Sequence, residues 1–83
     1  MNQEIVRQLD SMDRDWSSDT EVIQGSHGEI TAIKITLKVH RRTRTGLARV
    51  LYDRVSLTFD AVEEATEKAF AQAASQFGII GPQ

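Results

Sequence analysis

A regular alternation of apolar and polar residues over positions 33–40 constrains the fold of this chain more than any other feature. Ile33, Ile35, Leu37 and Val39 alternate with four polar residues, two of which are lysines. A period of two places the apolar side chains on one face of a β-strand and the polar ones on the other. The sequence therefore predicts a strand with one buried face and one charged face.

Shorter patterns predict the remaining elements. Apolar residues spaced three and four apart near the N-terminus indicate an amphipathic helix, and a turn bounded by Gly25 and Gly28 indicates a first hairpin. The polar segment from Arg41 to Gly46 predicts the loop of a second hairpin. A β-bulge near Asp53 would account for a change of alternation in the third strand. The predicted elements are a helix at about 3–12, strands at about 20–24, 29–40 and 47–59, and a helix at about 61–77.

A capping box and an alanine-rich stripe predict the last helix. Asp60 is the expected N-cap with Glu63 at the third helical position, and Gly78 is the expected C-terminal stop. Because alanine is small, this helix is expected to lie close to the sheet or to another helix. The predicted buried stripe consists of Val62, Ala65, Ala69, Ala73 and Phe77, with Phe70 beside it.

These elements together predict an α+β fold with the order α-β-β-β-α. An antiparallel three-stranded meander would be covered on one face by the long C-terminal helix. The 83 residues leave room for one domain, at 1–83. A single core of this size is only marginally stable, so a homo-oligomer is expected. Trp16, the only tryptophan, is expected to anchor its loop onto the core.

The charges are segregated along the chain, although the net charge is only −2. Residues 34–54 contain seven basic residues and a single acid, Asp53, which gives +6 locally and leaves −8 elsewhere. A phosphate backbone responds to such a local field rather than to the total. The alternative is that the basic segment pairs with an acidic surface, in the same fold or on a neighbouring subunit. The candidate nucleic-acid contacts are Lys34, Lys38, His40, Arg41, Arg42, Arg44, Arg49 and Arg54.

The sequence offers no basis for catalysis or for a cofactor or metal site. It has no cysteine, and His27 and His40 have no second ligand at metal-site spacing. No phosphate-binding loop, nucleophile elbow or dinucleotide motif occurs. We therefore expect a non-enzyme that has no cofactor and no small-molecule substrate.

Nothing in the sequence predicts contact with a membrane. No apolar run approaches the ~20 residues that span a bilayer. The N-terminus is acidic and is not followed by the apolar segment of a signal peptide. We therefore expect a cytoplasmic protein.

The short first helix is followed by the segment Asp15-Trp16-Ser17-Ser18 and by the long hairpin from Ile30 to Phe59, and the last helix ends in Phe77-Gly78. Over roughly residues 3–80 this order of elements resembles the annealing core of the Rad-fifty-two-type single-strand annealing recombination proteins. The resemblance implies a fold similar to that of double-stranded-RNA-binding domains, binding of single-stranded DNA, and a ring or filament of subunits. In the last helix the residues that fit the family pattern are Ala65, Ala69, Phe70, Ala73, Phe77 and Gly78.

The sequence departs from that family where the last helix would contact DNA. The family's basic positions correspond here to Ala71, Gln72 and Ser75. Double-stranded-RNA-binding domains carry lysines at the start of this helix, where this chain has glutamates. The predicted function is therefore a small nucleic-acid-binding protein of the annealing and recombination type, which binds a DNA backbone through a basic β-hairpin. The alternative is a non-catalytic assembly or regulatory module, in which the hairpin docks on the acidic helix of another copy.

Overall fold

The computed structural model describes residues 3–51 and 58–79, and it confirms the α-β-β-β-α order. The three strands form one antiparallel sheet in the order β1-β2-β3, which is the predicted meander. The elements are α1 Gln3–Met12, β1 Ser17–Gln24, β2 Ile30–Val39, β3 Arg42–Arg49 and α2 Thr58–Ser75.

The core lies between the sheet and the two helices. The four apolar residues that alternate along β2 are each exposed by 1% or less, as the period of two predicts. Ile5 and Leu9 of α1 join the same cluster. Burying one such side chain completely contributes about 1.5–3 kcal/mol. From α2 the buried members are Ala61, Ala65, Ala69, Phe70, Ala73 and Ala74.

Helix α2 lies directly on β3 at Gly46. A Cβ atom at this position would collide with the carbonyl oxygen of Ala69, and it would lie 2.7 Å from the backbone nitrogen of Ala73. The predicted close approach of the alanine-rich helix is therefore a contact with the sheet. Val62 and Phe77, the outer members of the predicted stripe, are half-buried and pack against the core.

Side chains from α2 and from the residue that follows it also cover the outer edge of β3. The backbone N–H of Leu47 donates to Gln72 Oε1 at 2.7 Å, and Gln76 Nε2 donates to the carbonyl oxygen of Thr45 at 2.7 Å. Unpaired edge groups invite pairing with other chains, so these contacts protect β3. In contrast, all eight residues of β1, the opposite edge, are exposed.

The ends of α2 differ in how well the sequence predicts them. The helix begins at Thr58, so Asp60 lies in its first turn and the predicted N-cap is wrong. A carboxylate in that turn still interacts favourably with the helix dipole. At the other end Gly78 has φ +83°, and the N–H of Ile79 donates to the carbonyl of Ala74 at 3.4 Å. This arrangement is a Schellman motif, and it confirms the predicted stop.

The second hairpin is tighter than predicted. Val39 pairs with Arg42, so only His40 and Arg41 form the turn. The prediction of a loop from Arg41 to Gly46 is therefore wrong. The third strand, predicted at about 47–59, begins earlier, at Arg42, and ends at Arg49; residues 52–57 of the predicted range lie outside the described residues. Polar residues fit a strand here because the start of β3 is exposed on both faces. The proposed bulge near Asp53 lies outside the described residues.

The predicted first turn and the anchoring of Trp16 on the core are confirmed. The first turn is closed by the Gly25 N–H, which donates to the Glu29 carbonyl oxygen at 2.8 Å. Trp16 packs against the core with its ring 6.3 Å from that of Phe70, and its Nε1 donates to Asp10 at 2.6 Å. β1 is longer than predicted because it begins at Ser17. Among the described residues, no helix is long and apolar enough to cross a membrane.

The contact at Gly46 can be tested by adding a methyl group. We expect Gly46→Ala to lower the free energy of unfolding by about 3 kcal/mol, because backbone atoms of α2 cannot rotate away from the added carbon. Gly28→Ala is the comparison, since Gly28 has φ +81° but no neighbour within 4 Å of the added carbon. Its strain should cost about 1 kcal/mol. Urea unfolding measures both, and equal losses would contradict the close contact.

Candidate nucleic-acid interface

The structure divides the eight predicted contact residues among different surfaces. Lys34 and Lys38 lie on the open face of the sheet, because they alternate with the core-facing residues of β2. Arg49 lies on the same face, because its partner Ala32 is two residues from Lys34 on β2. Arg42 and Arg44 lie on the helix-bearing face, opposite Val39 and Leu37. His40 and Arg41 form the turn between β2 and β3. Arg54 lies outside the described residues.

Five of these residues come together at one end of the sheet. We call this group the hairpin tip, and all five of its side chains are exposed. None of its Lys or Arg side chains forms an ion pair with any residue that the structure describes. The hairpin tip therefore presents four positive charges that no acid of the described residues pairs with. Its members are Lys38, His40, Arg41, Arg42 and Arg44.

The other two basic residues of the hairpin are set apart from the tip. Lys34 Nζ lies 3.9 Å from Glu21 Oε2 on the neighbouring strand, so an acid already offsets its charge. Arg49 pairs opposite Ala32 at the far end of β3. Arg49 is six residues beyond Thr43, which pairs with Lys38 of the hairpin tip. About 20 Å of strand therefore separates Arg49 from the tip. The continuous basic surface that the sequence predicts is thus a compact cluster with two outlying cations.

The turn at the hairpin tip has a strained backbone. His40 and Arg41 have φ values of +50° and +67°, a region that costs residues other than glycine roughly 1–2 kcal/mol each. Two-residue turns with two positive φ angles usually contain Asn-Gly for this reason. Strain of this kind at a charged, exposed position is typical of functional sites.

Asp13, from the loop after α1, holds this turn in place. Its Oδ2 accepts a hydrogen bond from the backbone N–H of His40 at 2.9 Å, and its Oδ1 accepts one from the N–H of Asp15 at 3.0 Å. The hydrogen bond from His40, followed by that from Asp15, lowers the pKa of the Asp13 carboxyl. His40 Nδ1 lies 4.0 Å from the same carboxylate, a contact that becomes an ion pair when the imidazole is protonated.

A cleft of about 390 Å³ opens beside the hairpin tip on the helix-bearing face. The ends of three elements form it, because α1, the β2–β3 hairpin and the segment after α2 meet there. The Cζ atom of Arg44 lies 5.9 Å from the centre of the Phe77 ring, and Arg44 Nη1 donates to the carbonyl oxygen of Thr43 at 2.8 Å. The lining residues are Met12, Val39, His40, Arg42, Arg44, Gln76 and Phe77.

Sequence reasoning missed this cleft. Met12 belongs to the apolar spacing that predicts the first helix and Phe77 to the stripe of the last, and 64 residues lie between them in the chain. No local pattern indicates that two such residues share a wall. The one available signal is that Phe77 and Met12 both lie at helix ends, where an apolar side chain can extend beyond the core.

The described residues contain no group of three or more His, Cys, Asp or Glu side chains that could hold a metal ion.

Comparisons of the chain with protein-family models, with curated proteins and with solved structures found no match. The resemblance to annealing proteins therefore stays a prediction.

The bond between Asp13 and the turn predicts a specific acid sensitivity. A lowered folded-state pKa stabilises the fold above the ordinary carboxyl pKa of ~3.9, and this contribution is lost as the pH falls through the lowered value. The free energy of unfolding of the wild type should fall between about pH 5 and pH 2, and we expect this fall to be smaller in Asp13→Asn. Urea unfolding across this range measures it. Asp19→Asn, an exposed acid on β1, is the control, and an equal change in both variants would contradict the assignment.

Proposed function

We propose that this chain binds single-stranded DNA through the hairpin tip, which contacts the phosphate backbone without reading the base sequence. The observation that supports this most directly is the group of four exposed Lys and Arg side chains with no paired acid among the described residues. Cations of this kind bind phosphates and release the counterions condensed on the nucleic acid. The binding is therefore expected to depend strongly on salt.

The shape of the hairpin tip favours a single strand over a duplex. Its cations are distributed around the narrow end of two adjacent strands, which lie about 4.8 Å apart. Lys38 is on the open face, Arg41 is in the turn and Arg44 is on the helix-bearing face. A flexible single strand can wrap around such an end, whereas a rigid duplex offers its phosphates along fixed ridges.

The turn residues give a second argument for a role in binding. Asn-Gly would relieve the strain of two positive φ angles, yet this chain has His40 and Arg41 there. The arrangement places an exposed arginine in the turn of the hairpin, despite its conformational cost. A purely structural turn would not need that charge.

We propose, on the resemblance to annealing proteins, that the bound strand is presented for annealing by an oligomer. The helix contacts of that family are replaced here. Gln72, at one of the family's basic positions, accepts a hydrogen bond from the edge of β3, and Ala71 is half-buried. Backbone binding in this chain therefore relies on the hairpin.

The central test compares two triple variants that change the net charge equally. Arg41, Arg42 and Arg44 are replaced by Glu in one, and Arg7, Arg14 and Lys68, which lie outside the basic segment and are exposed, are replaced by Glu in the other. We expect wild-type affinity for a labelled single-stranded oligonucleotide to fall with salt with a logarithmic slope of about −3, for four contacts at about 0.7 each. The first triple variant should bind about 100-fold more weakly at ~50 mM salt, and the second within about 5-fold of wild type.

Fluorescence anisotropy across a salt series measures these affinities, with duplex DNA and single-stranded RNA of the same length as comparisons. Equal losses in the two triple variants, or an affinity that salt does not change, would overturn the proposal. Stronger binding to RNA or to the duplex would assign the hairpin tip to that partner instead.

A single substitution separates binding from stability at the turn. We expect Arg41→Gly to raise the free energy of unfolding by about 1 kcal/mol, because glycine adopts positive φ without strain. The same change should weaken binding to the oligonucleotide, since it removes one phosphate contact. Arg41→Lys is the control and should keep the affinity without the gain in stability. Tighter binding by Arg41→Gly would contradict a role for this charge.

Self-assembly is the second candidate function, and the acidic outer surface of α2 favours it. Glu63, Glu64 and Glu67 are exposed there, and a hairpin tip from another copy carries the opposite charge. Glu64 already pairs with Lys68 at 3.0 Å, which reduces its attraction for a second cation. Self-assembly would be favoured over DNA binding by two results together. The wild type would form oligomers that dissociate when Arg41, Arg42 and Arg44 are replaced by Glu, and it would not bind the oligonucleotide.

A further inference from the structure

We infer that the cleft beside the hairpin tip is a nucleotide site, which holds one unpaired base of the bound strand while its arginines contact the adjoining phosphate. The inference rests on the proposed function and extends it from backbone binding to base binding. It depends on two properties of the cleft, an apolar wall and a cationic rim, and the residues that line the cleft include no acid.

The apolar wall comes from parts of the chain that are distant in sequence. Val39 is buried at the end of β2, Phe77 is half-buried after α2, and Met12, at the end of α1, is 37% exposed. The cleft volume of about 390 Å³ lies within the range of small-ligand sites, about 300–1,000 Å³. The cleft is therefore large enough for one base with its sugar.

The cationic rim follows from the register of the sheet. Arg42 and Arg44 are two residues apart on β3, so their side chains leave the same face of the sheet. They pair opposite Val39 and Leu37, whose side chains face the core. The tight two-residue turn decides this placement. A six-residue loop would have removed both arginines from the ladder.

Arg44 has a geometry suited to a base. Its guanidinium lies against the Phe77 ring, with 5.9 Å from Cζ to the ring centre. A guanidinium held in this way presents a flat face, and bases stack on arginine planes as they do on aromatic rings. No carboxylate of the described residues pairs with it, so its remaining N–H groups can donate to phosphate.

The combination identifies the class of ligand. An acidic peptide would use the arginines and leave the apolar wall unfilled. A neutral apolar molecule would fill the wall and leave the arginines unused. A nucleoside monophosphate has a flat ring and a dianionic group a few ångströms away, so it matches both parts of the cleft.

The test uses adenosine monophosphate as the probe, with inorganic phosphate and adenosine measured separately. We expect amide resonances of residues 39–44 and 76–78 to shift in a titration that saturates near 1 mM, a usual affinity for one small contact. Phosphate alone and adenosine alone should bind at least about tenfold more weakly, because each fills one part of the cleft. An acidic peptide that shifts the same amides equally well would overturn the inference.

Two variants that each add one negative charge distinguish a change inside the cleft from a general electrostatic effect on binding. Met12→Glu places a carboxylate in the apolar wall, and Thr43→Glu places one on the open face, opposite Lys38 and outside the cleft. We expect Met12→Glu to abolish binding of the nucleotide and Thr43→Glu to weaken it less than about threefold, since an exposed charge is screened. Met12→Leu, which keeps the wall apolar, should bind like wild type.

An abasic oligonucleotide distinguishes this inference from the proposed function. We expect the abasic strand to bind the wild type about tenfold more weakly than the same strand with bases, as loss of one stacked base implies. Equal binding of the two strands, with the hairpin-tip triple variant still defective, would overturn the cleft and leave backbone binding in place. If the wild type binds neither strand, the proposed function fails, and the adenosine monophosphate titration then decides the cleft independently.

Discussion

The close contact between α2 and Gly46 is the constraint on which the rest of this structure depends. Because a Cβ at Gly46 would strike the backbone of Ala69 and Ala73, this close contact requires glycine on the strand. The contact brings Gln72 and Gln76 within reach of the edge of β3. Because α2 lies in this place on the sheet, Phe77, which follows the helix, lies at the end of the sheet and lines the cleft. Packing in the core thus determines the geometry of the candidate site.

Charge and strain are concentrated at the opposite end of the hairpin from Arg49. The turn holds two residues with positive φ, and Asp13 accepts the N–H of the first of them. This hydrogen bond ties the loop after α1 to the hairpin and helps to offset the cost of the turn. It also brings α1, the element most distant in sequence, to the edge of the cationic cluster. The hairpin tip is therefore a positioned group of charges on a braced turn.

The sequence predicted the fold well where one face of an element is buried, and poorly where neither face is. The alternation from Ile33 to Val39 identified β2 because only a strand buries those side chains on one side. The segment from Arg42 to Thr45 has no buried face, so its composition indicated a loop although it is a strand. The start of α2 was misplaced for a related reason, since Asp60 suits both a cap and a first turn.

The sequence by itself determined the element order, the buried face of β2, the glycine stop of α2 and the presence of a strongly basic hairpin. These follow from local periodicity and from residue chemistry, which need no knowledge of distant contacts. Only the tertiary structure decided that Lys34 is paired, that Arg49 stands apart, and that Arg42 and Arg44 share a cleft with Phe77. The physical reason is register: a turn of two residues instead of six determines which residues of β3 lie opposite β2, and on which face each charge is found.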